Sequence, residues 1–162
     1  MLGFLIGLAL FGATPAVAQT TWNGSYQWTN DAPLFGGFSG IEVSDDGLGF
    51  IAVSDRGSFA RGTITRESGK ITDIRLDALQ PLIGPDGKDL PHTLNDSEGL
   101  AIGPEGTIFV SFEWEHGVRQ FAAIDQPAGP LLSAPDFAEM QNNSSLEALA
   151  IGPDGALYTM PE

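Results

Sequence analysis

Beyond Gln19, apolar residues occur in short runs that alternate with polar residues and are rich in Val, Ile, Leu and Phe. Clusters of Gly, Pro, Asn and Asp separate these runs at intervals of about eight to twelve residues. This pattern predicts β-strands joined by tight turns, without a long helix. The predicted strands are Ser25–Thr29, Gly40–Val43, Gly49–Ser54, Phe59–Thr65, Lys70–Leu76, Gly99–Ile102, Thr107–Phe112, Val118–Ile124, Leu131–Ser133, Leu146–Ile151 and Ala156–Met160.

One phrase occurs twice, as "EGLAIGPEGTIFVSFE" from Glu98 to Glu113 and as "EALAIGPDGALYTMPE" from Glu147 to Glu162. Pro fixes φ at the second turn position and Gly supplies a permissive backbone after it, so each phrase predicts a β-hairpin. A turn centred near Glu105 places Glu98 opposite Glu113, and the second copy places Glu147 opposite Glu162. Like charges that face each other destabilise a sheet, so these glutamates indicate a role other than hairpin stability.

A weaker third copy, "SGIEVSDDGLGFIAVSDRG", lies upstream and predicts a hairpin with an Asp-Gly turn at Asp45–Gly47. Ser39 stands at the position of Glu98, and Arg56 stands at the position of Glu113, with Asp55 just before it. The repeat starts at Gly40, Gly99 and Ala148, one residue after Ser39, Glu98 and Glu147, and these starts are 59 and 49 residues apart. A repeat of roughly fifty residues with several strands is typical of a β-propeller blade. The predicted fold is therefore all-β, a partial β-propeller of about two and a half blades built from antiparallel hairpins.

In a propeller blade the innermost strand and its returning partner both have an end at the mouth of the central channel, so the repeated glutamates are predicted to meet there. Carboxylate oxygens suit a hard cation such as Ca²⁺, which would relieve their mutual repulsion and could activate water for hydrolysis. Arg56 could bind an anionic substrate group or form an ion pair. The predicted metal ligands are Glu98, Glu113, Glu147, Glu162 and Asp55, and the predicted catalytic residues are Glu98, Glu147 and Arg56.

Three neighbouring residues are ambiguous in sequence. The position of Asp96 is compatible with an outer metal ligand and with a turn residue. The position of Trp114 is compatible with the lining of the channel mouth and with a cover over a blade edge. His116, like His92, lies in a loop close to the predicted channel end, where surface histidines are common. The predicted site therefore contains neither histidine.

The amino-acid composition limits the classes of partner that the protein is expected to bind. The 162 residues include 21 acidic and 7 basic ones, for a net charge of −14, and no Lys/Arg cluster interrupts the excess. Nucleic acid and anionic membrane surfaces are therefore poor partners, whereas cations are favoured. The chain has no cysteine, which excludes disulfides, thiolate metal sites and a cysteine nucleophile.

The first eighteen residues, "MLGFLIGLALFGATPAVA", form an apolar run that ends in small residues. Although a basic n-region is missing, this pattern predicts a secretory signal peptide over residues 1–18, cleaved before Gln19. The protein is then expected in the periplasm or outside the cell, with residues 19–162 as the mature domain.

The ordered segments "FSGIEVSDDGLGFIAVSDRG", "NDSEGLAIGPEGTIFVSFE" and "SSLEALAIGPDGALYTMPE" resemble the phytase-like family named for the esterase-like activity of phytase. The resemblance extends from about Phe35 to Glu162. It implies an exported β-propeller that hydrolyses a small-molecule ester or phosphoester. Family members are longer, so residues 19–162 are expected to be the N-terminal part of an incomplete propeller domain.

Three functions fit these patterns: a metal-assisted ester or phosphoester hydrolase, a sugar lactonase of the gluconolactonase type, and a non-catalytic binding propeller stapled by calcium. The sequence lacks a Gly-x-Ser-x-Gly elbow and a His-Glu-x-x-His motif, which disfavours a serine hydrolase and a zincin. The sequence alone does not choose among the three functions.

Overall fold

The computed structural model describes residues 21–91, 94–142 and 144–161, so the predicted signal peptide and Glu162 lie outside the described residues. Within these ranges there is no α-helix, and Pro135–Glu139 forms one short 3-10 helix. The strands are β1 (Phe38–Val43), β2 (Gly49–Ser54), β3 (Ser58–Glu67), β4 (Lys70–Pro81), β5 (Ser97–Ile102), β6 (Ile108–Phe112), β7 (Gly117–Phe121), β8 (Ala148–Ile151) and β9 (Leu157–Met160).

The strands form three antiparallel sheets in chain order: β1-β2-β3-β4, then β5-β6-β7, then β8-β9. The first strand of each sheet packs beside the first strand of the next, since β1 contacts β5 and β5 contacts β8. Successive sheets whose inner strands lie side by side have the arrangement of propeller blades. The predicted all-β, partial propeller fold is confirmed.

The three predicted hairpin turns are confirmed. Gly47, Gly106 and Gly155 adopt φ values of +73°, +82° and +80°, which glycine reaches without steric cost. β1 pairs with β2, β5 with β6 and β8 with β9 around these turns. β3 and β4 form a second, outer hairpin in the first blade.

The predicted register of the repeated hairpin is wrong. The Gly103 N–H donates to the Thr107 carbonyl, which closes a loop one residue longer than a two-residue turn and shifts the pairing by one residue. In addition, β5 bulges at Glu98 and Gly99, between the Ser97↔Phe112 and Leu100↔Val110 pairs. Glu98 therefore does not sit directly opposite Glu113.

The same irregularity recurs in the first blade, where the register shifts between Phe38 and Gly40, at Ser39. In the third blade Ala148 pairs with Met160, so the register again differs by one residue from the prediction that set Glu147 opposite Glu162. The bulge is thus a shared feature of the first two blades, and it changes the direction of Ser39 and Glu98, the residues that start these two copies.

Glycine at the start of the repeat allows the inner strands to approach closely. A Cβ atom on Gly40 would lie 2.9 Å from the Glu98 carbonyl oxygen. A Cβ atom on Gly99 would lie 2.6 Å from both Leu149 Cβ and Ser111 Oγ. Neither position has room for a side chain, so these glycines set the packing distance between neighbouring blades.

Two predicted strands do not form. Residues 25–29 are irregular and lie along the first sheet, where the Trp28 ring stacks on Phe38 at 5.3 Å and packs edge-on against Phe50. Aromatic packing and a hydrogen bond that the Tyr26 hydroxyl donates to Asp73 Oδ1 at 3.3 Å, rather than backbone pairing, hold this segment. Leu131–Ser133 is reduced to an isolated bridge between Val118 and Leu132.

Two hydrophobic clusters stabilise the described blades. The larger one fills the space between the first and second sheets and includes Val53, Phe59, Leu100, Phe112 and Phe121. The smaller one lies on the other face of the first sheet, under Trp28. No helix in the described ranges has the length and apolar character needed to cross a membrane.

Candidate metal centre

Three carboxylates meet where β5 begins and β6 ends. Asp96 immediately precedes β5, Glu98 lies in its bulge, and Glu113 follows β6 directly. Each offers an oxygen atom, and these three atoms lie within 4.8 Å of one another. We call Asp96, Glu98 and Glu113 the carboxylate cluster.

Backbone hydrogen bonds explain how the cluster forms despite the shifted register. The Glu113 N–H donates to the Asp96 carbonyl oxygen at 3.0 Å, so Glu113 pairs with Asp96 rather than with Glu98. The bulge then places the extra residue, Glu98, beside this pair. The predicted proximity of Glu98 and Glu113 is therefore met through a bulge and not through direct cross-strand pairing.

A buried serine fixes the bulge. Ser111 Oγ accepts the Gly99 N–H at 2.8 Å and donates to the Leu146 carbonyl oxygen at 2.7 Å. Ser145 Oγ donates to the Glu113 carbonyl oxygen at 2.7 Å. Both serines are fully buried, so these bonds tie the cluster to the start of the third sheet in a region sheltered from water.

Burial and mutual repulsion dominate the electrostatics of the cluster. Burial, followed by the charges of Glu147, Asp96 and Glu113, raises the pKa of Glu98 to about 8. Burial also raises the pKa of Glu113, whose residue surface is only 5% exposed, and the charges of Asp96 and Glu147 add to that rise. Without a cation, Glu98 therefore holds a proton at neutral pH.

Glu147 approaches the cluster from the next blade. Its N–H donates to the Met160 carbonyl oxygen at 3.1 Å, at the open end of the β8–β9 hairpin. Its charge raises the pKa of both Glu98 and Glu113, which places its carboxylate within electrostatic range of each. The second predicted ligand of this hairpin, Glu162, lies outside the described residues.

Asp55 and Arg56 lie beside the cluster. Arg56 Nη1 donates to the Phe35 carbonyl oxygen at 2.9 Å, and the exposed Asp55 carboxylate occupies the space next to Gly37. Both line a cleft of about 410 Å³ that Asp96 also lines. Arg56 forms no ion pair with a glutamate within the described ranges.

A larger cleft, of about 720 Å³, lies at the opposite end of the hairpins. Its lining includes Glu42, Arg61 and Pro104 but none of the clustered carboxylates. By volume alone, this larger cleft would be the first candidate for a binding site. We place the candidate site at the carboxylates instead, because the large rise in the pKa of Glu98 and the convergent oxygen atoms are both found there.

The donor set fits a hard divalent cation. Calcium binds six to eight oxygen ligands in irregular geometry, and the cluster consists of carboxylate oxygens alone. Like charges held together in a partly buried place are costly unless a proton or a cation compensates them. A calcium ion held by Asp96, Glu98 and Glu113 would supply that compensation.

Asp96 is the member of the cluster that the metal-ligand prediction left out. The hairpin symmetry of the repeated phrase pointed to glutamates at its ends, whereas Asp96 precedes the phrase by two residues. The acidic "NDSEG" stretch was the available signal, because Asp96 and Glu98 are two residues apart and a strand places such residues on the same face.

Blade-like sheets with a carboxylate cluster at one end define a propeller segment with a candidate metal centre. The family model described as "Phytase-like: Esterase-like activity of phytase" matches residues 33–162, and the chain belongs to this family. The match covers all three copies of the repeat.

Similar solved structures were also found. U3-55K has a TM-score of 0.47 at 15% identity, over 78% of this chain and 34% of that one. A putative 6-phosphogluconolactonase from Bacteroides uniformis has a TM-score of 0.43 at 15% identity, over 76% and 50%. Virginiamycin B lyase from Staphylococcus aureus has a TM-score of 0.41 at 18% identity, over 76% and 48%.

The chain thus spans between a third and a half of the length of these structures. At such identities and scores the likenesses carry no information about activity. No curated protein matches the chain.

Proposed function

We propose that the protein is an exported phytase-like propeller that hydrolyses a small-molecule ester or phosphoester at a divalent cation, most simply Ca²⁺, bound by the carboxylate cluster. The observation that carries this proposal is the convergence of the Asp96, Glu98 and Glu113 oxygens within 4.8 Å. The ester specificity is supported by the family to which the chain belongs.

In this proposal Asp96, Glu113 and Glu147 hold the cation together with Glu98, and Glu162 and Asp55 are additional candidate ligands. When bound, the cation supplies Lewis acidity, which polarises an ester oxygen and lowers the pKa of water. The pKa of Glu98, about 8 without a cation, would fall on cation binding, so that binding would release its proton and an oxygen that the cation does not use could then act as a base. Glu147 is the second candidate for proton transfer.

Arg56 has the proposed role of binding an anionic group of the substrate. Its guanidinium is exposed in the cleft that borders Asp96, and its described hydrogen bond uses only Nη1. The remaining N–H groups are available to a carboxylate or phosphate. A cation at the cluster and a guanidinium in the adjoining cleft would together hold an anionic ester.

Calcium binding is the first test. Isothermal titration and thermal melting of the purified protein should show saturable calcium binding and a rise in Tm with calcium. The double variant Glu98→Gln with Glu147→Gln should lose most of both effects. Glu105→Gln is the matched control, because it removes one charge from the exposed turn at the other end of the same hairpin.

Ester hydrolysis is tested separately. Loss of turnover of carboxyl or phosphate esters after chelation, with recovery on adding calcium, would support the hydrolase. Turnover of sugar lactones alone would favour a lactonase, and calcium binding without any turnover would favour a binding propeller. Absence of calcium binding in the unchanged protein would refute the metal centre.

We also propose that the protein acts in the periplasm or outside the cell, after removal of residues 1–18. The apolar N-terminal run and the family membership support this location. Cell fractionation and N-terminal sequencing should find the mature protein starting at Gln19 in the exported fraction. Recovery of a protein that starts at Met1 in the cytoplasm would contradict it.

A further inference from the structure

Trp114 is placed unusually for an aromatic residue. It follows the buried Glu113 at the end of β6, remains 48% exposed, and belongs to neither hydrophobic cluster of the described blades. Its polar group nevertheless points inward, because Nε1 donates to Asp96 Oδ2 at 2.8 Å. Packing does not explain why so large a side chain stands at this edge.

The hydrogen bond places Trp114 in direct contact with the carboxylate cluster. Asp96 lies before β5 and receives two bonds from the end of β6: the Glu113 N–H bonds its carbonyl oxygen, and the Trp114 indole bonds its carboxylate. An aspartate side chain rotates easily about its last torsion. A well-formed bond to one oxygen restricts that rotation and fixes the orientation of the other oxygen.

We infer that Trp114 is a positioning residue of the candidate metal centre, which orients the Asp96 carboxylate for a cation through its indole N–H. This inference rests on the proposed calcium site. Residues that hydrogen-bond to a metal ligand orient it, and their loss commonly weakens metal binding by about 10-fold to 100-fold. The expected role is therefore one of affinity and not of fold stability.

Trp114→Phe tests this role, since it keeps an aromatic ring and removes the N–H donor. Calcium affinity measured by titration calorimetry should fall by about tenfold. The melting temperature in EDTA should change no more than in Trp22→Phe, the control at a tryptophan that is 82% exposed. Trp22→Phe should leave calcium affinity unchanged.

A spectroscopic measurement separates positioning from a structural effect. In ¹⁵N-labelled protein, the indole N–H resonance that disappears in Trp114→Phe should shift when calcium is added, because its acceptor becomes a metal ligand. The resonance that disappears in Trp22→Phe should not move. A Trp114 resonance that is insensitive to calcium would overturn the inference.

The outcomes also separate this inference from the proposed function. If the unchanged protein binds no calcium, the metal centre fails and the role of Trp114 fails with it. If the unchanged protein binds calcium and Trp114→Phe binds it equally well, only the positioning role is refuted.

Discussion

The two copies of the sixteen-residue phrase fold into the same hairpin but into different surroundings. In the first copy most residues of β5 and β6 are buried, and Leu100 is 4% exposed. In the second copy β8 and β9 alternate between exposed and half-buried residues, and Tyr158 and Met160 are 58% and 65% exposed. The phrase specifies the hairpin, whereas the neighbouring sheets determine its burial.

The sheet contacts explain this difference. The first copy lies between the first sheet and the third, and β7 extends it outward, whereas among the described residues β8 and β9 pair only with each other. Glu98 acquires its raised pKa from the same enclosure, because burial is the largest cause. The raised pKa of Glu98 thus depends on the neighbouring strands that bury this side chain.

The largest expected contrast comes from the leucines at the same position of the two copies. Leu100→Ala should cost about 3 kcal/mol, since it removes a side chain from the core between two sheets. Leu149→Ala should cost less than about half of that, because Leu149 is only half-buried. Urea unfolding of the two variants measures both losses, and equal losses would refute the proposed difference in burial.

A smaller contrast is expected at the start of the phrase. Gly99→Ala should destabilise the protein by about 2 kcal/mol, because the new Cβ would lie 2.6 Å from Leu149 Cβ, in contact with a neighbouring strand that cannot easily move. The reciprocal change in the second copy, Ala148→Gly, should cost no more than about 1 kcal/mol. Chemical unfolding of both variants checks this, and a neutral Gly99→Ala would show that the inner strands have room to separate.

The serine that links the copies should have a smaller effect still. Ser111→Ala should cost about 1.5 kcal/mol, since it leaves the Gly99 N–H and the Leu146 carbonyl without their buried partner. Ser133→Ala is the control, because its hydroxyl also bonds a carbonyl but at an exposed position, where water can replace it. Similar losses for both serines in thermal melts would argue against a special role for Ser111.

A pH dependence is expected in addition to these mutational effects. The folded pKa of Glu98, about 8, exceeds its ordinary value of 4.5, so the unfolded chain releases this proton first as the pH rises. In EDTA, stability should therefore be highest below about pH 4.5 as far as Glu98 is concerned, and should decline between pH 4.5 and about 8. Glu98→Gln should flatten this part of the pH profile of Tm, whereas Glu105→Gln should retain it.

Turn chemistry and strand periodicity made much of the fold predictable. Asp-Gly and Pro-x-Gly turns identified the three inner hairpins, and the recurrence of the phrase identified the blades. The segment around Trp28 was misassigned, because its alternating aromatic pattern satisfies side-chain packing as well as a strand ladder. The local sequence pattern does not distinguish a segment held by side-chain packing from a segment held by strand pairing.

The candidate site was predictable in its location but not in its geometry. The glutamates at the ends of the phrase correctly indicated that Glu98 and Glu113 would lie close together. Their actual arrangement depends on a longer loop and a bulge, which move each residue relative to its partner strand. This shift depends on the hydrogen bonds that the Gly99 and Glu113 N–H groups donate. The sequence pattern does not specify these bonds directly.

The bulge at the start of the inner strands β1 and β5 also has an evolutionary consequence. It recurs at Ser39 and at Glu98, so in two blades the backbone presents this position in the same kind of bulge, although the side chains differ. Duplication of a blade would therefore copy the bulge together with the fold. A single codon change at this position could then alter the charge of its side chain. The charge at the bulge can thus differ from blade to blade while the strands that present it stay the same.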